Sequence, residues 1–102
     1  MDKESAIEIA SRYISYLREN NFDIVKAVIF GSIAKGNFHK DSDIDLAVIF
    51  RKLDDKFNTQ VKLFMLTPKF DTRLEPHPID INDYNINNPF AYEIIKYGIE
   101  II

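Results

Sequence analysis

Two aspartates one residue apart, Asp43 and Asp45 in Ser42-Asp43-Ile44-Asp45-Leu46, follow a Gly31-Ser32 pair by twelve residues. If residues 43–50 form a strand, side chains alternate across it and both carboxylates leave the same side, about 6–7 Å apart. Like charges placed this way repel unless cations lie between them. Hard oxygen donors at this spacing suit Mg²⁺, which keeps waters and takes one or two carboxylates plus substrate phosphates. Gly31 ends an apolar run and lets backbone N–H groups come close to a phosphate; a helical turn starting at Ser32 favours an anion. A phosphate cradle beside a carboxylate pair is the equipment of phosphoryl or nucleotidyl transfer.

Two rival readings of these residues fail. Gly31 and Gly36 have P-loop glycine spacing, but Asn37 and Phe38 stand where Lys and Ser/Thr are required. Asp41, Asp43 and Asp45 imitate a Ca²⁺ loop, but Leu46 replaces its glycine and Lys52 its bidentate glutamate. A lone Asp-x-Asp is more often a solvated strand face; the preceding Gly-Ser pair argues for chemistry here.

Regular elements must position these groups. Ile7, Ala10, Tyr13, Ile14 and Leu17 recur at helical spacing between Ser5 and Asn20. Ile24 to Phe30 reads as a buried strand closed by Gly31. In Asp43 to Phe50, Ile44, Leu46, Val48 and Phe50 form an apolar face, opposite Asp43, Asp45, Ala47 and Ile49. Leu53 to Leu66 predicts a helix with Phe57, Val61, Phe64 and Met65 inward, stopped by Pro68. Phe70 to Glu75 predicts a third strand, with Pro76 holding Glu75 extended. Asn88 and Pro89 cap a last helix, Phe90 to Tyr97, ended by Gly98. Ile99 to Ile102 predicts an edge strand. The expected fold is α/β (α+β): a small mixed sheet with helices packed on one face and a bare polar face opposite.

Composition narrows the function. The chain has 102 residues, 13 basic against 16 acidic, no cysteine, 46% hydrophobic and 28% charged residues. That is the balance of one folded domain, not of a disordered chain. Net charge −3 argues against non-specific nucleic-acid binding. The lack of cysteine excludes a disulfide scaffold, a thiolate zinc site and a cysteine nucleophile. No apolar run approaches the ~20 residues of a membrane span, and no secretory signal is visible. A cytoplasmic location is expected.

Gly31-Ser32-x-Ala34-Lys35-Gly36 followed by Ser42-Asp43-Ile44-Asp45-Leu46 resembles the G-S-x-A-[RK]-G…S-D-[IV]-D-L motif of the DNA polymerase β-like nucleotidyltransferase superfamily. The length and the Gly98-Ile99-Glu100-Ile101 ending are similar to its minimal branch, the MNT proteins. The resemblance implies a single minimal nucleotidyltransferase domain over residues 1–102. It implies catalytic and metal-holding roles for Asp43, Asp45 and a third carboxylate on a later strand. Glu75 is the choice, Asp71 the fallback of equal parity, and Asp80 lies further out. It implies nucleotide contacts from Gly31, Ser32, Lys35 and Ser42. Where many family members carry arginine, Lys35 offers a point charge without bidentate recognition. Two Mg²⁺ ions and ATP are the implied cofactor and substrate. A sheet this small cannot enclose nucleotide and acceptor together. An acceptor supplied by another protein is therefore expected, and the resemblance to the MNT proteins implies that it is a hydroxyl on a HEPN-type toxin that receives AMP, with the chain acting as antitoxin. The alternative is a binding module that masks the toxin by contact; a stand-alone transferase on a small molecule or RNA end is the weaker third. A homodimer or hetero-oligomer is expected from the apolar tail and the tyrosines. His39 reads as a surface histidine, and His77 as that or a substrate contact; neither has a second histidine at zinc spacing.

Overall fold

The computed structural model describes residues 2–37 and 42–102. His39 and most of the polar loop expected over 37–41 lie outside the described residues. The elements run α1 (Lys3–Glu19), β1 (Ile24–Phe30), β2 (Ile44–Phe50), α2 (Lys56–Leu66), β3 (Leu74–Asp80), α3 (Pro89–Tyr97) and β4 (Ile99–Glu100). The strands form one mixed sheet in the order β3-β2-β1-β4. β2 is antiparallel to β1 and parallel to β3, and β4 adds antiparallel to β1.

Local chemistry sets the helix ends. Asp2 accepts from the Ser5 amide at 2.8 Å to start α1, and Asp55 accepts from the Asn58 amide at 3.0 Å to start α2. Asn88 accepts from Phe90 and Ala91 ahead of Pro89, as the sequence predicts. Gly98 ends α3 at φ −75°, so it is not a left-handed cap. What it supplies is space, since a Cβ there would overlap Val28 Cγ1 and the Ile94 carbonyl.

The main core lies between α1 and the sheet. Ala6, Ala10, Tyr13, Ile14 and Leu17 of α1 meet Ile29, Ile44, Leu46 and Val48. Tyr13 is fully buried and donates its hydroxyl to the Leu63 carbonyl at 2.7 Å, tying α1 to α2. Burial without a charged partner pushes its phenol well above the usual tyrosine range.

Three expectations change. The face read as bare carries a smaller cluster, in which Ile94 of α3 packs with Val28, Ala47, Ile49 and Ile79. The helices therefore do not all lie on one face: Ala47 and Ile49 on the Asp45 side of β2 need cover, and α3 brings it. In α2 it is Leu63 that is buried, while Phe57, Val61, Phe64 and Met65 face outward. The third strand runs Leu74–Asp80, not Phe70 to Glu75. Phe70 instead sits in the turn before it, edge-on to Tyr13 and Tyr16 at 5.7 and 5.4 Å between ring centroids. Pro76 and Pro78 are tolerated in β3 because it is an edge strand. The Arg73 carbonyl accepts from Ile44 at 2.8 Å; alternation then turns the polar backbone groups of 75, 77 and 79 to β2, so that the ring nitrogens of the buried prolines point away from it.

Among the described residues, no helix is long and apolar enough to cross a membrane.

Candidate active site

Three strands align their ends at one place. Phe30 pairs with Asp45, and Asp45 with Glu75. Ile44 and Leu46 are buried in the main core, so the intervening Asp45 points to the other face, and Glu75 follows by the same alternation from buried Leu74. His77, two residues beyond Glu75, shares that face. One ligand atom from each of Asp45, Glu75 and His77 lies within 4.8 Å of the others. Gly31 closes the site from β1: a Cβ there would overlap Asp45 Oδ2. Its φ of +78° also requires a residue free of side-chain crowding.

After Gly31 the chain makes a compact turn. Lys35 and Asn37 donate backbone hydrogen bonds to the carbonyls of Gly31 and Ser32 at 3.1 and 2.9 Å. Ile33 anchors the turn in the core, while Ser32 and Lys35 stay exposed. The Lys35 ammonium lies 5.7 Å from the Tyr97 ring centre. Beside the turn a cleft of ≈ 260 Å³ is lined by Phe30, Gly31, Lys35, Phe90, Glu93 and Tyr97 with Ile94. A larger groove of ≈ 480 Å³, between the α1–β1 turn and the start of α2, contains none of these residues.

The electrostatics are those of crowded carboxylates. Burial raises the Glu75 pKa, with interaction with Asp45 and the charges of Asp43 and Asp45 adding to the shift. Asp45 is lowered, chiefly by the neighbouring His77 imidazole, against the effect of burial. Two carboxyl groups this close cannot both ionise cheaply without a cation. Their oxygen donors, with a buried His77 Nε2 that makes no hydrogen bond among the described residues, fit a divalent cation.

Of the residues singled out in the sequence, Asp45 and Glu75 are brought together beside Gly31. Asp43 is exposed just before β2; it is within electrostatic reach of Glu75 but outside the tight group. Ser42 is buried next to it. Asp71 is away from the group, in a bidentate pair with Arg73 at 2.9 and 2.7 Å. Asp80 sits at the far end of β3, accepting from the amides of Leu53 and Asn82 at 2.9 and 2.8 Å. The sequence favours a surface histidine at His77 over a substrate contact; its two-residue spacing from Glu75 is the signal for a place in the site.

Among curated proteins, no sequence matches this chain. Solved structures share its fold. A mutant of the toxin–antitoxin MntA-HpeT is 18% identical, with a TM-score of 0.65 over 90% of this chain and 71% of that one. A toxin–antitoxin structure with AMP-PNP is 19% identical, with a TM-score of 0.64 over 100% and 73%. A complex of tri-AMPylated Shewanella oneidensis HEPN toxin with MNT antitoxin is 16% identical, with a TM-score of 0.63 over 95% and 71%. The family model described as polymerase beta, nucleotidyltransferase matches residues 12–102. With that match spanning nearly all the sequence, and its carboxylates gathered beside the Gly31 turn, the chain belongs to the polymerase beta nucleotidyltransferase family.

Proposed function

We propose that this chain transfers AMP from ATP to a hydroxyl of a HEPN-type toxin and thereby acts as its antitoxin. The observation that carries the reading is the register of Phe30, Asp45 and Glu75, which sets two carboxylates against the Gly31 turn. Family membership supports nucleotidyl transfer, and the neighbours containing AMP-PNP and an AMPylated HEPN toxin support the nucleotide and the acceptor.

Asp43, Asp45 and Glu75 would hold two divalent cations, Mg²⁺ in the simplest case. When bound, such ions neutralise the triphosphate, stabilise departing pyrophosphate and make the attacking hydroxyl more acidic. The backbone at Gly31 and Ser32, with the Ser32 hydroxyl, receives the outer phosphates. Lys35 adds a positive charge at the turn, and Ser42 braces the approach to Asp43. The cleft between Phe30, Phe90 and Tyr97 offers flat apolar walls to the base.

The experiment is to co-express the chain with a HEPN partner and follow the partner's mass, with labelled ATP confirming transfer in vitro. A metal-dependent gain of AMP is expected. Asp45→Asn is expected to lose on the order of 10²-fold or more in transfer rate, because several kcal/mol of charge stabilisation go with the ion. Transfer by Asp45→Asn at the wild-type rate overturns the assignment.

A second reading, neutralisation by contact alone, is favoured by the outward stripe of Phe57, Val61, Phe64 and Met65 on α2. Neutralisation that is independent of metal and leaves the partner unmodified selects it.

A further inference from the structure

We propose that His77 is a direct ligand of the cation held by Asp45 and Glu75, and that its imidazole turns the site's preference from Mg²⁺ towards a first-row transition ion such as Mn²⁺. The inference rests on the metal-dependent reading above and concerns which ion the site takes.

Three features of the fold point to it. His77 lies opposite Ala47 in the parallel ladder, one step along from the Asp45–Glu75 pair. A methyl group there leaves the imidazole room to lean towards the carboxylates. The ring is walled by aromatic rings, Phe30 at 5.2 Å and Phe90 at 6.2 Å between centroids. Aromatic walls of this kind accept no conventional hydrogen bond from an imidazole nitrogen. Nε2 is buried and makes no hydrogen bond among the described residues. It lies 3.5 Å from Asp45 Oδ1, and one donor atom from each of the three residues is within 4.8 Å of the others. Ligands on one transition ion, each about 2.0–2.2 Å from it, stand at most about 4.4 Å apart. The 3.5 Å between Asp45 Oδ1 and His77 Nε2 already lies within that limit.

The chemistry of the donors sets the preference. Carboxylate oxygens and water suit Mg²⁺ and Mn²⁺ alike, whereas an imidazole nitrogen favours first-row transition ions. A site with two carboxylates and one imidazole therefore binds Mn²⁺ more tightly than Mg²⁺, where an all-oxygen site discriminates less. The competing role for His77 is a charged imidazolium paired with Asp45, which places no nitrogen on the ion.

Pulsed electron paramagnetic resonance of Mn²⁺ bound to the full chain separates the two roles. Nitrogen modulation from a coordinated imidazole is expected in the wild type and in His39→Gln, and is expected to vanish in His77→Gln. Calorimetric titration should show the preference for Mn²⁺ over Mg²⁺ falling roughly 10–100-fold in His77→Gln. His77→Asp, with oxygen donors only, should bind Mg²⁺ nearly as well as Mn²⁺. If His77→Gln does not fold, His39→Gln labelled with ¹⁵N-histidine decides, since His77 is then its one histidine and the modulation must change to that of ¹⁵N. Mn²⁺ binding that Asp45→Asn weakens but that shows no nitrogen coupling, or coupling traced to His39, overturns the role of His77 and leaves the metal-dependent transferase standing. A wild type that binds neither ion overturns both.

Discussion

Two glycines in the same turn separate backbone strain from steric contact. Gly31 and Gly36 have φ of +78° and +80°. A Cβ on Gly31 would overlap Asp45, whereas one on Gly36 meets no described residue within 4 Å. Both alanine variants should lose about 1–2 kcal/mol of stability through the left-handed backbone. Only Gly31→Ala should also displace Asp45, so its divalent-cation affinity should fall while that of Gly36→Ala stays near wild type; chemical denaturation and calorimetry measure the two effects. Asp71 carries a pH prediction. The Arg73 guanidinium beside it, at 2.7 Å, holds its carboxyl below the ordinary value of 3.8. A depressed folded value means the stabilisation is complete above the unfolded value and fades as pH falls through the folded one. Wild-type stability should therefore drop more steeply than that of Asp71→Asn as pH is lowered from 5 towards 2. Asp71→Asn should already be less stable by about 1 kcal/mol at pH 7, a modest figure because the pair is partly solvated.

Within α2 two apolar sets compete for the inward direction. Phe57, Val61, Phe64 and Met65 form a regular helical stripe, yet Phe57 and Met65 are 75% and 74% exposed while Leu63 is fully buried. Leu63→Ala should cost about 2–5 kcal/mol. Phe57→Ser should change stability by no more than about 0.5 kcal/mol; thermal or urea unfolding distinguishes the two. Here the limit of reading a sequence is physical: periodicity says which residues share a face, not which face meets the sheet. α1 and α3 were legible because each has a cap and a single apolar stripe, and β1 and β2 because apolar, β-branched runs end in the Gly31 turn or follow Asp43. β3 was misplaced because prolines read as terminators, and only the sheet order shows the edge position that admits them. Glu75 stands as the third carboxylate that the resemblance implies, since side-chain parity alone admits Asp71 equally; its pairing with Asp45 is seen only in the sheet register. His77 does not stand out, since its value depends on the small Ala47 across the ladder and on Phe90 from a distant helix, neither of which lies nearby in sequence.

For the molecule as a whole, the site is a place where folding has gathered like charges, so an ion that binds there also stabilises the fold. A divalent cation at a hundred times its dissociation constant should add about 2.7 kcal/mol. For a chain of this length that is a rise in Tm on the order of 10 °C. Chelation should remove the increment, and Asp45→Asn should show little of it at the same cation concentration, as scanning calorimetry can measure. The same sheet also constrains how the protein meets other chains. Pro76 and Pro78 turn their ring nitrogens away from β2, so the outer rim of β3 lacks amide hydrogens at two of the positions where a docking strand would seek them. Backbone-to-backbone extension is discouraged on that flank and is left to β4, only two residues long. Lasting association is thereby steered towards side-chain surfaces, and the flank that bears Glu75 and His77 is spared from being stitched shut by a neighbour's main chain.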